Sequence, residues 1–264
     1  MTHERLPHTG RLLAILLMGP FMAQADATIA NVATPSIRAD LGASGAALEL
    51  IVGGYMIAFA MLLITGARLG QTHGYRRVFV LGVTTFTTAS VLSGIAPTPA
   101  VLVAARVLQG AGAALMFPQT LTGIQLSFEG AERARAIGLY AIALSSGAVA
   151  GQIVGGGLIS LDLAGTGWRA IFLVNAPIGV AVALAAARYL PADDVRTTRH
   201  VDVPGVATLS AAIVLIVLPL VLGRAEGWPA APKAATHGTR VRPEVNGLRP
   251  RPCWRYCARV NSSA

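Results

Sequence analysis

Charge is what this sequence has least of. Only 12% of its 264 residues are Asp, Glu, Lys or Arg, where a water-soluble domain carries about a quarter. So few charged side chains cannot clothe a surface that faces water, and a soluble globular protein is excluded. Lysine is almost missing, with Lys233 the only one. Cysteine is confined to Cys253 and Cys257, so everything before them lacks both a disulfide framework and thiolate ligands. That CxxxC pair has no second ligand pair nearby, and a structural zinc site needs about four ligands. Histidine is equally unhelpful to chemistry. His3, His8, His73, His200 and His237 fall in loops or tails and form no metal or nucleophile constellation. No metal, no cofactor and no enzymatic activity are expected.

What is present is apolar. Hydrophobic residues make up 54% of the chain, glycine contributes 29 residues, and the mean hydropathy is +0.61. Apolar runs of about 20 residues, each able to cross roughly 30 Å of hydrocarbon, recur at 12–33, 49–67, 78–96, 100–123, 136–160, 169–189 and 204–223. The expected class is an all-α polytopic membrane protein with a six-helix bundle over 12–190 and a seventh helix at 204–223. Residues 1–11 form a tail, 191–203 a loop, and 231–264 a basic, disordered segment. Arg5 and Arg11 followed by an apolar run and "AQA" at 23–25 imitate a secretory signal. The run continues past Asp26, however, so retention of the segment is expected.

Arginine sets the orientation. With the N-terminus inside, the cytoplasmic segments hold Arg5, Arg11, Arg68, Arg76, Arg77, Arg133, Arg135, Arg188, Arg196 and Arg199, against Arg38, Arg169 and Arg224 outside. This is the positive-inside asymmetry. It also accounts for the net charge of +9 without nucleic acid, and none is expected as a partner. Past Pro229 the character changes to an Arg- and Pro-rich stretch without apolar period. Two readings stand for it: a disordered basic tail, or natural sequence lost to a frameshift or misplaced stop.

Within the spans, two charges are out of place. Arg106 sits in "VLVAARVLQGAGAALMFP" (101–118), about six residues and so about 9 Å inside the outer end of its span. At that depth a long Arg stem can snorkel to the interface. Asp26 cannot, and a carboxylate in a membrane needs a cation, water or a proton. Helix counting puts Asp26 roughly 8 Å below the outer side, close to the depth of Arg106. The two are expected in one polar cavity. Dehydration favours the neutral acid and a guanidinium favours the carboxylate, so a modest rearrangement there loads or releases a proton. Gln109 and Gly110 follow Arg106 at i+3 and i+4, on the same face, and are expected to line that cavity. Gly147, Gly151 and Gly155, extended by Gly156, recur at a spacing that lets helix backbones touch and slide. Between spans two and three, "ARLGQTHGYRRVF" (67–79) has Gly74 for a tight turn and Arg76 with Arg77 at the inner face.

Taken together, these stretches resemble the major facilitator superfamily, in particular its fourteen-helix drug/proton antiporter branch. "DATIANVATPSI" (26–37) is similar to the branch's first-helix signature, "ARLGQTHGYRRVF" to the superfamily loop signature, and "RVLQGAGAALMFP" (106–118) to the fourth-helix signature. "GAVAGQIVGGGLI" (147–159) is similar to the antiporter motif of helix five. "WRAIFLVNAPIG" (168–179) and "DVPG" (202–205) match the entries to helices six and seven. The departures are Ala67, Gln71 and Thr72 where the loop motif has Gly, Asp and Arg, and Gln152 where helix five has Pro.

The resemblance implies a multi-pass inner-membrane protein that exports small amphipathic compounds in exchange for protons, and so has a small-molecule substrate, protons and the lipid bilayer as partners. It implies proton coupling at Asp26 and Arg106, and a conformational interface at Gly147, Gly151, Gly155 and Gly156. It further implies a cytoplasmic gate at Gly74, Arg76 and Arg77. Only the first half of the family architecture plus one linker helix is covered. Alternating access needs two bundles around a midplane site, so a second half is expected to be required. The competing expectation is a truncated membrane fragment that transports nothing.

Overall fold

Two of the helices begin at side-chain caps, and several end at a glycine of positive φ or an extended residue. A computed structural model of the chain describes residues 9–161 and 165–191, together with Gly205, Thr208 and Leu215. The segment 231–264 and, apart from those three positions, the expected seventh span lie outside the described residues. The order is α1 (Thr9–Leu41), α2 (Gly45–His73), α3 (Tyr75–Gly94), α4 (Pro99–Ser127), α5 (Gly130–Leu161), α6 (Ala170–Leu173) and α7 (Asn175–Tyr189). A 3₁₀ turn at Gly167–Arg169 leads into α6. Six of these stretches are long and apolar enough to cross a membrane, the sixth being Gly167–Tyr189 taken as a whole. Connections are short, so successive spans alternate in direction.

Ser44 caps α2 by accepting a hydrogen bond from the Ala47 amide, and Thr98 caps α4 by accepting one from Val101, with Pro99 at the first helical position. Both are ordinary ways of satisfying the orphan amides of a helix start. Gly74 ends α2 and begins α3 at φ 90° and ψ 139°, a backbone conformation that side-chain-bearing residues rarely adopt. The helices run well past the apolar windows. The 33 residues of α1 extend about 50 Å at 1.5 Å each, against roughly 30 Å of hydrocarbon. Hydropathy marks the part in lipid, whereas backbone hydrogen bonding continues the helix beyond it.

The sixth span is interrupted, which its unbroken apolar pattern did not suggest. A turn at Val174 separates α6 from α7. Pro177 has no amide hydrogen for the carbonyl of Leu173, four residues back. The carbonyl of Phe172 meanwhile accepts a hydrogen bond from Ser90 Oγ of α3, at 2.9 Å.

In the packing, α4 lies against α2, α3 and α1; α1 lies against α5; and α3 lies against α7. Close approach depends on small residues, as membrane helix interfaces generally do. On α4, Gly110 faces the backbone of Tyr55 in α2, and Gly112 faces that of Phe86 in α3. Gly66 faces the carbonyl of Ala114, with an added methyl falling 3.0 Å from the carbonyl carbon. That carbonyl has lost its usual helical donor because the residue four positions on is Pro118. Gly66 thus gives α2 its close approach to α4, one residue before Ala67.

The apolar interior falls into two clusters. One gathers Leu16, Tyr75, Phe79, Phe86, Met116 and Ala186 toward the end of the bundle that holds the α2–α3 connection. The other gathers Ile37, Ile51, Leu102, Trp168, Ile171 and Phe172 toward the opposite end. On α4, Arg106 and Gln109 lie between Leu102 of the second cluster and Ala113 of the first, whereas the buried Gln119 and Thr120 lie within the first.

Candidate functional site

The boundary between the two clusters is a polar layer. Its members are Asp26 on α1, Ser90 on α3, Arg106 and Gln109 on α4, and Asn175 at the start of α7, and all are buried. Placing a carboxylate and a guanidinium in a low-dielectric interior costs several kcal/mol per ion unless both are paired and fully hydrogen-bonded. The layer meets most of that demand. Arg106 Nη1 is ion-paired with Asp26 Oδ2, with no solvent exposure of either side chain. The other carboxylate oxygen, Oδ1, accepts from Gln109 Nε2 at 2.8 Å and from Asn175 Nδ2 at 2.9 Å. Ser90 Oγ sits 3.1 Å from both of those amide nitrogens.

Arg106 is held on other sides as well. Its Nε donates to the carbonyl of Ile51 on α2 at 3.2 Å, and Nη1 also donates to Gln109 Oε1 at 2.8 Å. The guanidinium carbon lies 4.5 Å from the ring centroid of Tyr55 and 5.5 Å from that of Phe172, within reach of cation–π attraction. Tyr55 in turn donates its hydroxyl to the carbonyl of Ala23 at 3.0 Å. One donor is left over: Arg106 Nη2 is buried and makes no hydrogen bond. A buried guanidinium group without a partner is costly, so this nitrogen is where the layer can accept a new acceptor.

The sequence reading brings Asp26, Arg106 and Gln109 to one place, and the structure puts them in direct contact. It differs on Gly110, expected to face a cavity, which instead has the Tyr55 backbone pressed against it. The face of α4 that carries Arg106 and Gln109 is closed by neighbouring helices, not open. Ser90, Asn175 and Tyr55 went unnoticed in the sequence. Asn175 lies within "WRAIFLVNAPIG" (168–179), and a depth close to that of Asp26 is the signal that points to it.

The glycines of α5 divide. An added methyl would come 2.7 Å from the Phe21 carbonyl oxygen at Gly147, 2.8 Å from the Ala25 carbonyl carbon at Gly151, and 2.5 Å from Ile29 Cγ1 at Gly155. These three lie along α1. Gly156 meets nothing within 4 Å, because one residue further on a helix turns through about 100° and off the contact face. Gly156 therefore takes no part in the contact with α1. Thr28 Oγ1 donates across the same seam to the Ala148 carbonyl at 3.0 Å.

At the end of the bundle that holds the α2–α3 connection, Arg76 in the first turn of α3 donates to the carbonyl of Ala187 at the end of α7, and Arg133 in the first turn of α5 donates to Phe128 and Gln125 carbonyls at the end of α4. Each puts a cation at a helix C-terminus, where the dipole favours it. Arg77 is exposed. At the opposite end Asp40 accepts from Trp168 Nε1 and pairs with Arg169, tying the end of α1 to the turn before α6.

The model of the Major Facilitator Superfamily matches residues 16–254. The chain belongs to that superfamily. A probable actinorhodin transporter of Streptomyces coelicolor is 46% identical over 83% of this chain and 38% of its own length. The cephamycin export protein CmcT of Amycolatopsis lactamdurans is 38% identical over 83% of this chain and 45% of its own length. The chain thus spans less than half the length of these relatives. A bacterial homologue of the human lysosomal transporter Spinster, solved inward-facing and unoccupied, shares the fold. It has a TM-score of 0.63 and 23% identity, over 75% of this chain and 46% of the other. The superfamily's multi-pass helical architecture is what the six apolar spans display.

Proposed function

We propose that this chain carries the proton-handling half of an exporter that moves small amphipathic compounds across the cytoplasmic membrane against an inward flow of protons, with its N-terminus in the cytoplasm. The cephamycin relative is an export protein, and the Streptomyces coelicolor relative a probable actinorhodin transporter. The arginine distribution supports the orientation: Arg11, Arg68, Arg76, Arg77, Arg133, Arg135 and Arg188 fall toward one side of the alternating helices, and Arg38 and Arg169 toward the other.

One observation carries the coupling. The carboxylate of Asp26 and the glycine seam of α5 share a single turn of α1. Asp26 is ion-paired to Arg106, the neighbouring Ala25 carbonyl abuts Gly151, and Thr28, two residues on, bonds to α5. A proton arriving at Asp26 cancels the charge that holds Arg106, Gln109 and Asn175 on α1. The same turn then grips α3, α4 and α7 less tightly while keeping its seam with α5, so α1 and α5 move together against the other helices. Proton loss restores the pair. Gly74, with Arg76 binding Ala187, acts in this reading as the inner fastening that the movement must strain.

Everted membrane vesicles from cells expressing the chain test the reading. Energised uptake of ethidium that stops with a protonophore and with Asp26→Asn is the expected result. Uptake indifferent to both contradicts it. Absence of uptake from the chain alone favours a second reading, a half that does not transport by itself, for which the 38–45% coverage of the two relatives speaks.

A further inference from the structure

Away from the polar layer, in the inner half of the bundle, α2, α4 and α5 enclose a cleft of about 880 Å³, within the size range of small-molecule sites. Its walls are uneven in chemistry. Phe59 of α2 and Phe117 of α4 meet edge to face, with centroids 5.0 Å apart and planes at 71°. Tyr140 of α5 faces the same space, and Leu63 and Leu121 complete an apolar wall. Phe59 and Arg68 are nine residues apart on α2, about 14 Å along the axis, so the aromatic end lies deep and Arg68 stands at the inner mouth. Arg68 is the one charged residue that lines the cleft. Among the described residues, no carboxylate pairs with its guanidinium.

A topology anchor would explain a basic residue at this depth but not its place on the rim of an aromatic cleft that has no acid. From this pairing we infer that the cleft binds extended, fused-ring aromatic compounds bearing a carboxylate or similar acidic group, the rings packed on Phe59, Phe117 and Tyr140 and the acid on Arg68. Aromatic side chains favour offset and edge contacts with flat rings, and a guanidinium offers two parallel donors to one carboxylate. An acyl chain gains nothing from the edge-to-face arrangement, so a flat ligand suits the walls better than lipid. The inference rests on the export reading for its meaning, since it names what would be exported, but binding itself needs neither a proton gradient nor further chain.

The purified chain in phosphatidylcholine nanodiscs, titrated with anthraquinone-2-carboxylate and with the neutral anthraquinone-2-carboxamide, tests it. Arg68 is exposed, so Arg68→Gln leaves the packing intact. The expected result is that the carboxylate binds about tenfold tighter than the amide. Arg68→Gln should bring that ratio to about one without weakening the amide, and Phe59→Leu should weaken both probes several-fold. Equal binding of the two probes, or a preference that survives Arg68→Gln, overturns the inference. So does displacement of bound anthraquinone by added phosphatidylglycerol, which would make the cleft a lipid site. Selective binding with no vesicle transport would leave the cleft assigned and favour a half that does not transport by itself, whereas proton-dependent transport without selective binding would overturn the cleft inference and leave the export reading standing.

Discussion

Arg106→Ala is expected to destabilise the protein by about 3–5 kcal/mol, the usual cost of removing one partner from a buried ion pair. The reason lies in what remains. Asp26 keeps the Gln109 and Asn175 donors, but its charge is left in a layer shut off from solvent on all sides. The stacking of the guanidinium on Tyr55 and Phe172 is lost as well. Arg106→Ala combined with Asp26→Asn should recover much of the loss, because a neutral amide needs no cation. Thermal unfolding of the four proteins of this cycle in detergent gives the coupling energy directly. Additive losses would mean that the two side chains contribute separately and that the pair is not the fastening described above.

The second large effect is at the α1–α5 seam. Gly151→Val is expected to cost about 1–3 kcal/mol by overpacking, since its first carbon alone would fall 2.8 Å from the Ala25 carbonyl carbon. The contact is with backbone, which cannot rotate away, so α5 must shift off α1 and the bond from Thr28 to Ala148 must break. Gly156→Val provides the internal contrast. It projects into open space, and valine is a slightly better helix former than glycine, so its unfolding temperature should match or exceed the parent's. A lowering by Gly156→Val equal to that of Gly151→Val would show that the α5 glycines act through helix flexibility and not through contact.

The parts of this architecture that announce themselves in sequence are those with a large energetic cost. Asp26 and Arg106 stand out because a charge in an apolar helix is expensive, and Gln109 followed from its spacing to Arg106. Ser90, Asn175 and Tyr55 did not, because a single uncharged polar residue in a membrane helix is common and its partners lie 19 to 149 residues away in the chain. The glycine spacing on α5 reveals a face but not its partner, and only Gly147, Gly151 and Gly155 lie against α1. Helix ends were missed for a different reason. Hydropathy reports lipid contact, and α1 and α2 continue beyond it on local hydrogen bonds and side-chain caps. The break at Val174 depends jointly on Pro177 and on a hydroxyl from another helix, and only the proline is visible in the local sequence.

What joins the fold to its proposed work is the claim that Asp26 exchanges a proton from within the polar layer. The most direct measurement is the infrared difference spectrum of the purified protein in lipid as pH is stepped through neutrality, with Asp26→Asn as reference. A protonated-carboxyl band that grows reversibly on acidification and is missing from Asp26→Asn is the predicted result. A spectrum in which wild type and Asp26→Asn respond identically would contradict the account, leaving the Asp26–Arg106 pair a structural clamp and no more.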